Sequence, residues 1–278
     1  MPNHHISFCR LSGYGNRMFD VLRQHWPEYL MEAAGLGLFM MSASVFTALL
    51  EHPASPIREM INDSLARRVL VGIAMGLTAV GIIYSPWGKQ SGAHLNPSVT
   101  LTFFRIGKIE SSDTFFYILA QFTGGLTGVL LTAAVIGPYL ADPSVNYAVT
   151  IPGPAGPATA FLGELMISFG LMLVVLVASN TPSLAPFTGL FAGLLVATYI
   201  TVEAPLSGMS MNAARTFASA FPAHLWTAVW IYFTAPFLGM LAASEVYMRL
   251  TGAQKIACPK LHHQNNRRCI FCGKPAGK

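Results

Sequence analysis

The residues of this chain best suited to chemistry are two asparagines in matched settings. Ser91-Gly92-Ala93-His94-Leu95-Asn96-Pro97-Ser98 and Ser207-Gly208-Met209-Ser210-Met211-Asn212-Ala213-Ala214 both read Ser-Gly, two variable residues, Leu or Met, Asn, then small residues or Pro. Asn is a preferred N-cap and Pro suits the first helical position, so each Asn reads as the start of a short helical run, 97–104 and 213–220. A capped Asn has a fixed geometry and still offers amide N–H donors to a passing oxygen. The plainer alternative is that both serve only as caps. Arg215 follows the second Asn closely, and a charge at membrane depth is kept where it lines water or finds partners. Glu32 and Glu164 are acids inside apolar stretches, read as acceptors for loop backbone or, alternatively, as a proton-coupled carboxylate pair.

A second constellation lies near the C-terminus. Cys258, His262, His263, Cys269 and Cys272 offer three thiolates and an imidazole, a tetrahedral zinc set, although a single Cys-x-x-Cys is a weak signal. The competing readings are a solvated basic tail drawn to anionic lipid, and an iron–sulfur or redox role. Cys9 is the fourth cysteine, and all four fall in the tails, where a reducing cytosol would disfavour disulfides. Neither a nucleophile–base pairing nor a phosphate-binding Gly loop is evident, so no enzymatic chemistry and no transport cofactor is expected.

These groups need elements to hold them. The chain is 53% hydrophobic and 10% charged, against roughly 25% charged residues in an average soluble domain. Six stretches approach the ~20 apolar residues that cross a bilayer: 29–50, 65–87, 115–137, 158–178, 187–202 and 225–248. The two Asn segments follow the second and fifth, and Glu32 and Glu164 sit in the first span of each half. Three spans per half invert the second copy, and interrupted helices at matching positions of an inverted repeat point to a midplane transport site. The expected fold is therefore an all-α membrane protein, with six transmembrane helices and two re-entrant half-helices in a 3+3 repeat. Its expected parts are a tail 1–28, a channel domain 29–250 with halves 29–137 and 158–250, and a tail 251–278.

No removable signal peptide is seen before Tyr29. The net charge of +5 does not imply nucleic acid, because the basic residues concentrate in segments that fall on one side of an alternating bundle. By the positive-inside rule that side is cytoplasmic, which places both termini there and the protein in a plasma (inner) membrane.

At this point the motifs resemble a family. Residues 91–97 and Met211-Asn212-Ala213-Ala214-Arg215-Thr216-Phe217 are similar to the twin Asn-Pro-Ala boxes of the aquaporin (major intrinsic protein) family. Ala120-Gln121-Phe122 and Ala235-Pro236-Phe237-Leu238-Gly239 add further matches, and the resemblance runs from about Tyr29 to Arg249. It implies a homotetrameric passive channel, with water or a small uncharged solute and membrane lipids as partners. It also implies a constriction at Asn96, Pro97, Ser98, Asn212, Ala213 and Ala214, and a selectivity filter of Met75, Ile200, Met209 and Arg215. Glu32, Glu164, His94 and Gln121 become loop supports, with His94 positioning its loop rather than titrating.

Two departures stand out. Ser98 replaces the usual Ala, a small-for-small change, whereas Ala213 replaces Pro and is expected to loosen the constriction. The filter matches neither the water set nor the glycerol set, and Thr216 stands where glycerol-passing members carry Asp. The other classes weighed are a proton- or ion-coupled transporter using Glu32 and Glu164, and a redox or sensor protein built on the tail.

Overall fold

The computed structural model describes residues 9–277, with the side chains of 9–17 and Ala253 outside the described set. Residues 1–8 and the surroundings of Cys9 therefore lie outside the description. No strand occurs among the described residues, and the order of α-helices is α1 Cys9–Glu51, α2 Pro56–Met60, α3 Ser64–Tyr84, α4 Pro86–Ser91, α5 Pro97–Arg105, α6 Ser111–Ile136, α7 Pro138–Ala141, α8 Gly156–Ser179, α9 Thr188–Ser207, α10 Ala213–Ala223 and α11 Trp230–Thr251. Five of these are long and apolar enough to span a bilayer, and α11, 22 residues long, completes the six by packing on α8.

The pairing follows the repeat. α1 packs on α6 and α8 on α11, the first and third spans of each half, while α3 and α9 join the halves. Lipid tails are as apolar as Leu, so such pairs gain from close van der Waals contact rather than from leaving water, and small residues allow it. A Cβ on Gly124 would lie 2.1 Å from the Ala33 carbonyl oxygen, and one on Gly128 would lie 2.3 Å from that of Gly37. The same closeness recurs at the seam between halves, where Gly76 and Gly193 face one another's carbonyls.

Several boundaries differ from the sequence expectation. The first helix starts at Cys9 and runs through Pro27 into the apolar span. The second ends at Tyr84 instead of 87, because Ser85 caps a new helix with its hydroxyl accepting from Gly88 N at 3.0 Å and Pro86 fits the first position. The fifth continues from 202 to Ser207 although Glu203 and Pro205 lie in its path. Gly163 makes this feasible, since the Glu203 carboxylate occupies the space its Cβ would need. The sixth begins at Trp230 rather than 225, after a turn in which His224 and Ala228 take positive φ.

Candidate functional site

Both Asn segments are irregular backbone at the same place in each half, and the same devices hold them. Gly92 (φ 104°) and Gly208 (φ 81°) end α4 and α9 in the left-handed region. Ala93, Leu95, Met209 and Met211 then take φ of 51–55°, uncommon for residues with a Cβ and costing of order 1–3 kcal/mol each. Hydrogen bonds hold them there. The Ser91 and Ser207 hydroxyls accept from Ala93 N (3.1 Å) and Met209 N (3.0 Å), and the Ser91 and Ser207 carbonyls accept from the buried hydroxyls of Tyr117 (2.6 Å) and Tyr232 (2.5 Å).

The two acids complete the scaffold unequally. Glu164 Oε1 accepts from Ser207 Oγ (2.7 Å) and Ser210 N (2.6 Å), and its Oε2 from Met211 N (2.6 Å). Glu32 Oε1 accepts from Leu95 N and from Gln121 Nε2 (3.0 Å), and Oε2 has no partner among the described residues. Gln121 also donates to Thr100 Oγ1 at 3.0 Å. His94 donates through Nε2 to the Pro259 carbonyl (3.0 Å), and its Nδ1 lies 3.2 Å from Thr100 Oγ1.

So supported, the two asparagines clasp each other's loops. Asn96 Nδ2 donates to the Met211 carbonyl and Asn212 Nδ2 to the Leu95 carbonyl, both at 2.6 Å. Their Oδ1 atoms cap the half-helices, Asn96 from Ser98 N (2.8 Å) and Asn212 from Ala214 N (3.0 Å) and Arg215 N (3.1 Å). Each amide has two N–H groups, so one remains beyond the clasp, and both residues line a single cavity of about 480 Å³. α5 and α10 thus present their N-termini, the positive ends of their dipoles, to one place. Pro97 and Ala213 take equivalent first positions, with Ser98 and Ala214 buried behind them. Unlike Pro97, Ala213 retains an N–H and an unset φ. Ala213→Pro is expected to raise thermal stability by about 0.4–1 kcal/mol and to change unit conductance. Unchanged melting and unchanged conductance would refute the loosened constriction.

Met75, Ile200, Met209 and Arg215 line the same cavity, the first three within one apolar cluster. Arg215 is buried at Nη1 without a partner among the described residues, although its own helix places it at the wall. Thr216 closes a hydroxyl chain: its Oγ1 lies 2.8 Å from Thr150 Oγ1 and 2.6 Å from Ser210 Oγ, which donates to the Asn212 carbonyl at 2.9 Å. It fastens the long loop between the halves to the second Asn segment. Thr150, Tyr117 and Tyr232 escaped the sequence reading. The tyrosines carried a signal nonetheless, standing 26 and 25 residues after Ser91 and Ser207.

In the tail, donor atoms of Cys258, His263, Cys269 and Cys272 lie within 4.8 Å of one another. Cys258 Sγ is 3.5 Å from Cys269 Sγ, and His263 Nε2 is 3.2 Å from Cys272 Sγ. The hydrogen bond from the Cys258 thiol to the Cys269 sulfur pushes Cys258 up and holds Cys269 below the ordinary thiol range. His262, proposed beside His263 as a ligand, is outside the cluster. Its ring instead meets Tyr84 edge-on at 5.1 Å, which leaves His263 as the imidazole beside the thiols.

Interrupted helices meeting tip to tip inside a six-helix bundle define a membrane channel. The chain belongs to the major intrinsic protein family, whose model matches residues 22–247. It is 34% identical to Aquaporin NIP2-3 of Zea mays over 215 residues, 76% of this chain and 69% of that protein. It is 38% identical to the Probable aquaporin AqpM of Archaeoglobus fulgidus over 184 residues, 64% of this chain and 74% of that one. The aquaglyceroporin from Plasmodium falciparum shares the fold, with a TM-score of 0.67 at 20% identity, covering 83% of this chain and 98% of its own. The protein is an integral membrane channel, passive toward water or small uncharged solutes, and not an enzyme.

Proposed function

We propose that water or a small uncharged solute crosses in single file past Asn96 and Asn212, and that selection occurs where Arg215 faces Met75, Ile200 and Met209. The observation that carries this reading is the reciprocal Asn clasp, which leaves one amide donor of each residue for the permeant. A molecule taking hydrogen bonds from two donors at the tips of two opposed dipoles turns its own hydrogens outward, which breaks a proton wire and repels cations. The Arg215 guanidinium supplies the missing partner to a polar solute and repels cations again. The two Met and one Ile form an adaptable apolar wall, which favours small neutral solutes over bulky hydrogen-bonding ones.

The orientation follows from charge, with both termini in the cytoplasm of a cell whose plasma (inner) membrane holds the channel. The functional unit is a homotetramer, for which exposed aliphatic residues such as Leu162, Leu194 and Val202 supply a membrane-facing apolar surface. Cys258, His263, Cys269 and Cys272 bind zinc, and transport itself needs no cofactor. Zn–S and Zn–N bonds of about 2.3 and 2.0–2.1 Å separate tetrahedral donors by roughly 3.5–3.8 Å, so shifts of an ångström or less would close the set.

Stopped-flow light scattering of proteoliposomes under water, glycerol, urea and ammonia gradients tests the reading. Flux above that of empty liposomes, and indifferent to a proton gradient, is expected for at least one solute. A requirement for the gradient would instead favour coupled transport through Glu32 and Glu164. That alternative gains little from the present geometry, in which both carboxylates accept from the loops.

A further inference from the structure

The tail from Ile256 to Cys272 has no helix or strand, yet much of it is buried. Ile256 is 0% exposed, Lys260 2% and Cys269 3%. A stretch this short has no core of its own and needs staples to hold one shape. It packs on the first Asn segment. Leu261 N donates to the Gly92 carbonyl (3.1 Å), His94 donates to Pro259, and Phe271 lies parallel to the His94 ring at 5.7 Å. Leu261 itself enters the wall of the pore, clustering with Ile83, Ala93, Val175 and Ala192 on the terminus-side end of the cavity.

Two fastenings hold this arrangement. Arg268 forms a bidentate pair with the fully buried Glu28 of α1, at 2.7 and 2.5 Å. The second is the Cys258, His263, Cys269, Cys272 cluster, whose loop brackets Leu261. The buried Lys260 ammonium beside it donates only to the Lys89 and Arg268 carbonyls, and no carboxylate pairs with it among the described residues. Three thiolates and one imidazole around a divalent ion carry a net charge of −1, the countercharge a buried ammonium requires.

We propose that the C-terminal tail is a metal-fastened lid, in which zinc bound by Cys258, His263, Cys269 and Cys272 keeps Leu261 seated in the terminus-side mouth of the pore. Losing the metal releases the loop and widens the mouth, so that permeability follows zinc occupancy. The proposal rests on the zinc reading of the tail and on the channel reading above, and each can fail separately.

The test uses the full-length protein in proteoliposomes. Zinc is measured per chain, and permeability is followed by stopped flow before and after stripping with a membrane-permeant zinc chelator. Cys272→Ser, at the exposed ligand, and Leu261→Ala are compared with the parent. About one zinc per chain is expected, together with a several-fold rise in permeability on stripping or in Cys272→Ser. Leu261→Ala should keep its zinc, start from the raised permeability and no longer respond to the chelator. Absence of zinc at unit stoichiometry would overturn the metal site. Zinc present with permeability unmoved by both stripping and Leu261→Ala, or lowered by stripping, would overturn the lid and leave the metal site standing. No flux above empty liposomes in any of these states would overturn the channel reading itself.

Discussion

Glu164→Ala is expected to abolish flux and to cost more stability than any other single change in the pore. The substitution orphans Ser210 N and Met211 N, two buried donors worth about 1–3 kcal/mol each, and frees the Ser207 hydroxyl. It also releases Met211 from the left-handed conformation that its bond enforces, and loosens Met209 through the freed Ser207 hydroxyl that holds its N–H, so the Met211 carbonyl no longer meets Asn96. Glu32→Ala should do less damage, since Glu32 serves one backbone N–H and Gln121. Thermal unfolding in detergent and proteoliposome flux check both variants. A Glu32→Ala protein less stable than Glu164→Ala would contradict this account of how the loops are held.

The second large effect is a gain of unwanted permeation. In Arg215→Val the filter loses the charge that faces the cavity beside Met75, Ile200 and Met209, while its apolar walls persist. A monovalent cation about 4 Å from a guanidinium is opposed by roughly 4 kcal/mol at an effective dielectric constant of 20. Removing that repulsion should raise cation leak by up to about three orders of magnitude, with Asn96 and Asn212 left as the remaining barrier. Conductance recordings in planar bilayers measure this directly. A variant as tight to cations as the parent would move the exclusion step away from Arg215.

What was readable in the sequence, and what was not, divides along physical lines. The Asn segments, the spans and Glu32 and Glu164 could be read because a bilayer forbids unpaired backbone and unpartnered charge, so breaks and acids stand out against apolar runs. The choice between His262 and His263 could not, since a turn decides which ring faces the thiols. Tyr117 and Tyr232 were hidden because an aromatic in a membrane helix looks like lipid-facing material until its hydroxyl finds a carbonyl. The extension of α9 past Glu203 depended on Gly163, a residue forty positions earlier in another helix. The docked tail was least legible: its seat is built from Gly92, His94 and Glu28, and composition alone gives a solvated basic segment.

The mutual grip of Asn96 and Asn212 has a consequence for biogenesis. Their acceptors lie 115 and 117 positions away along the chain. A ribosome therefore delivers the first three spans long before the atoms that finish their loop. Until the second half arrives, Leu95 offers an unclaimed carbonyl and Asn96 an unclaimed amide in a medium with nothing to substitute for them. Fragment 1–137 synthesised by itself carries a polar defect, and fragment 158–278 supplied in trans is the piece that mends it.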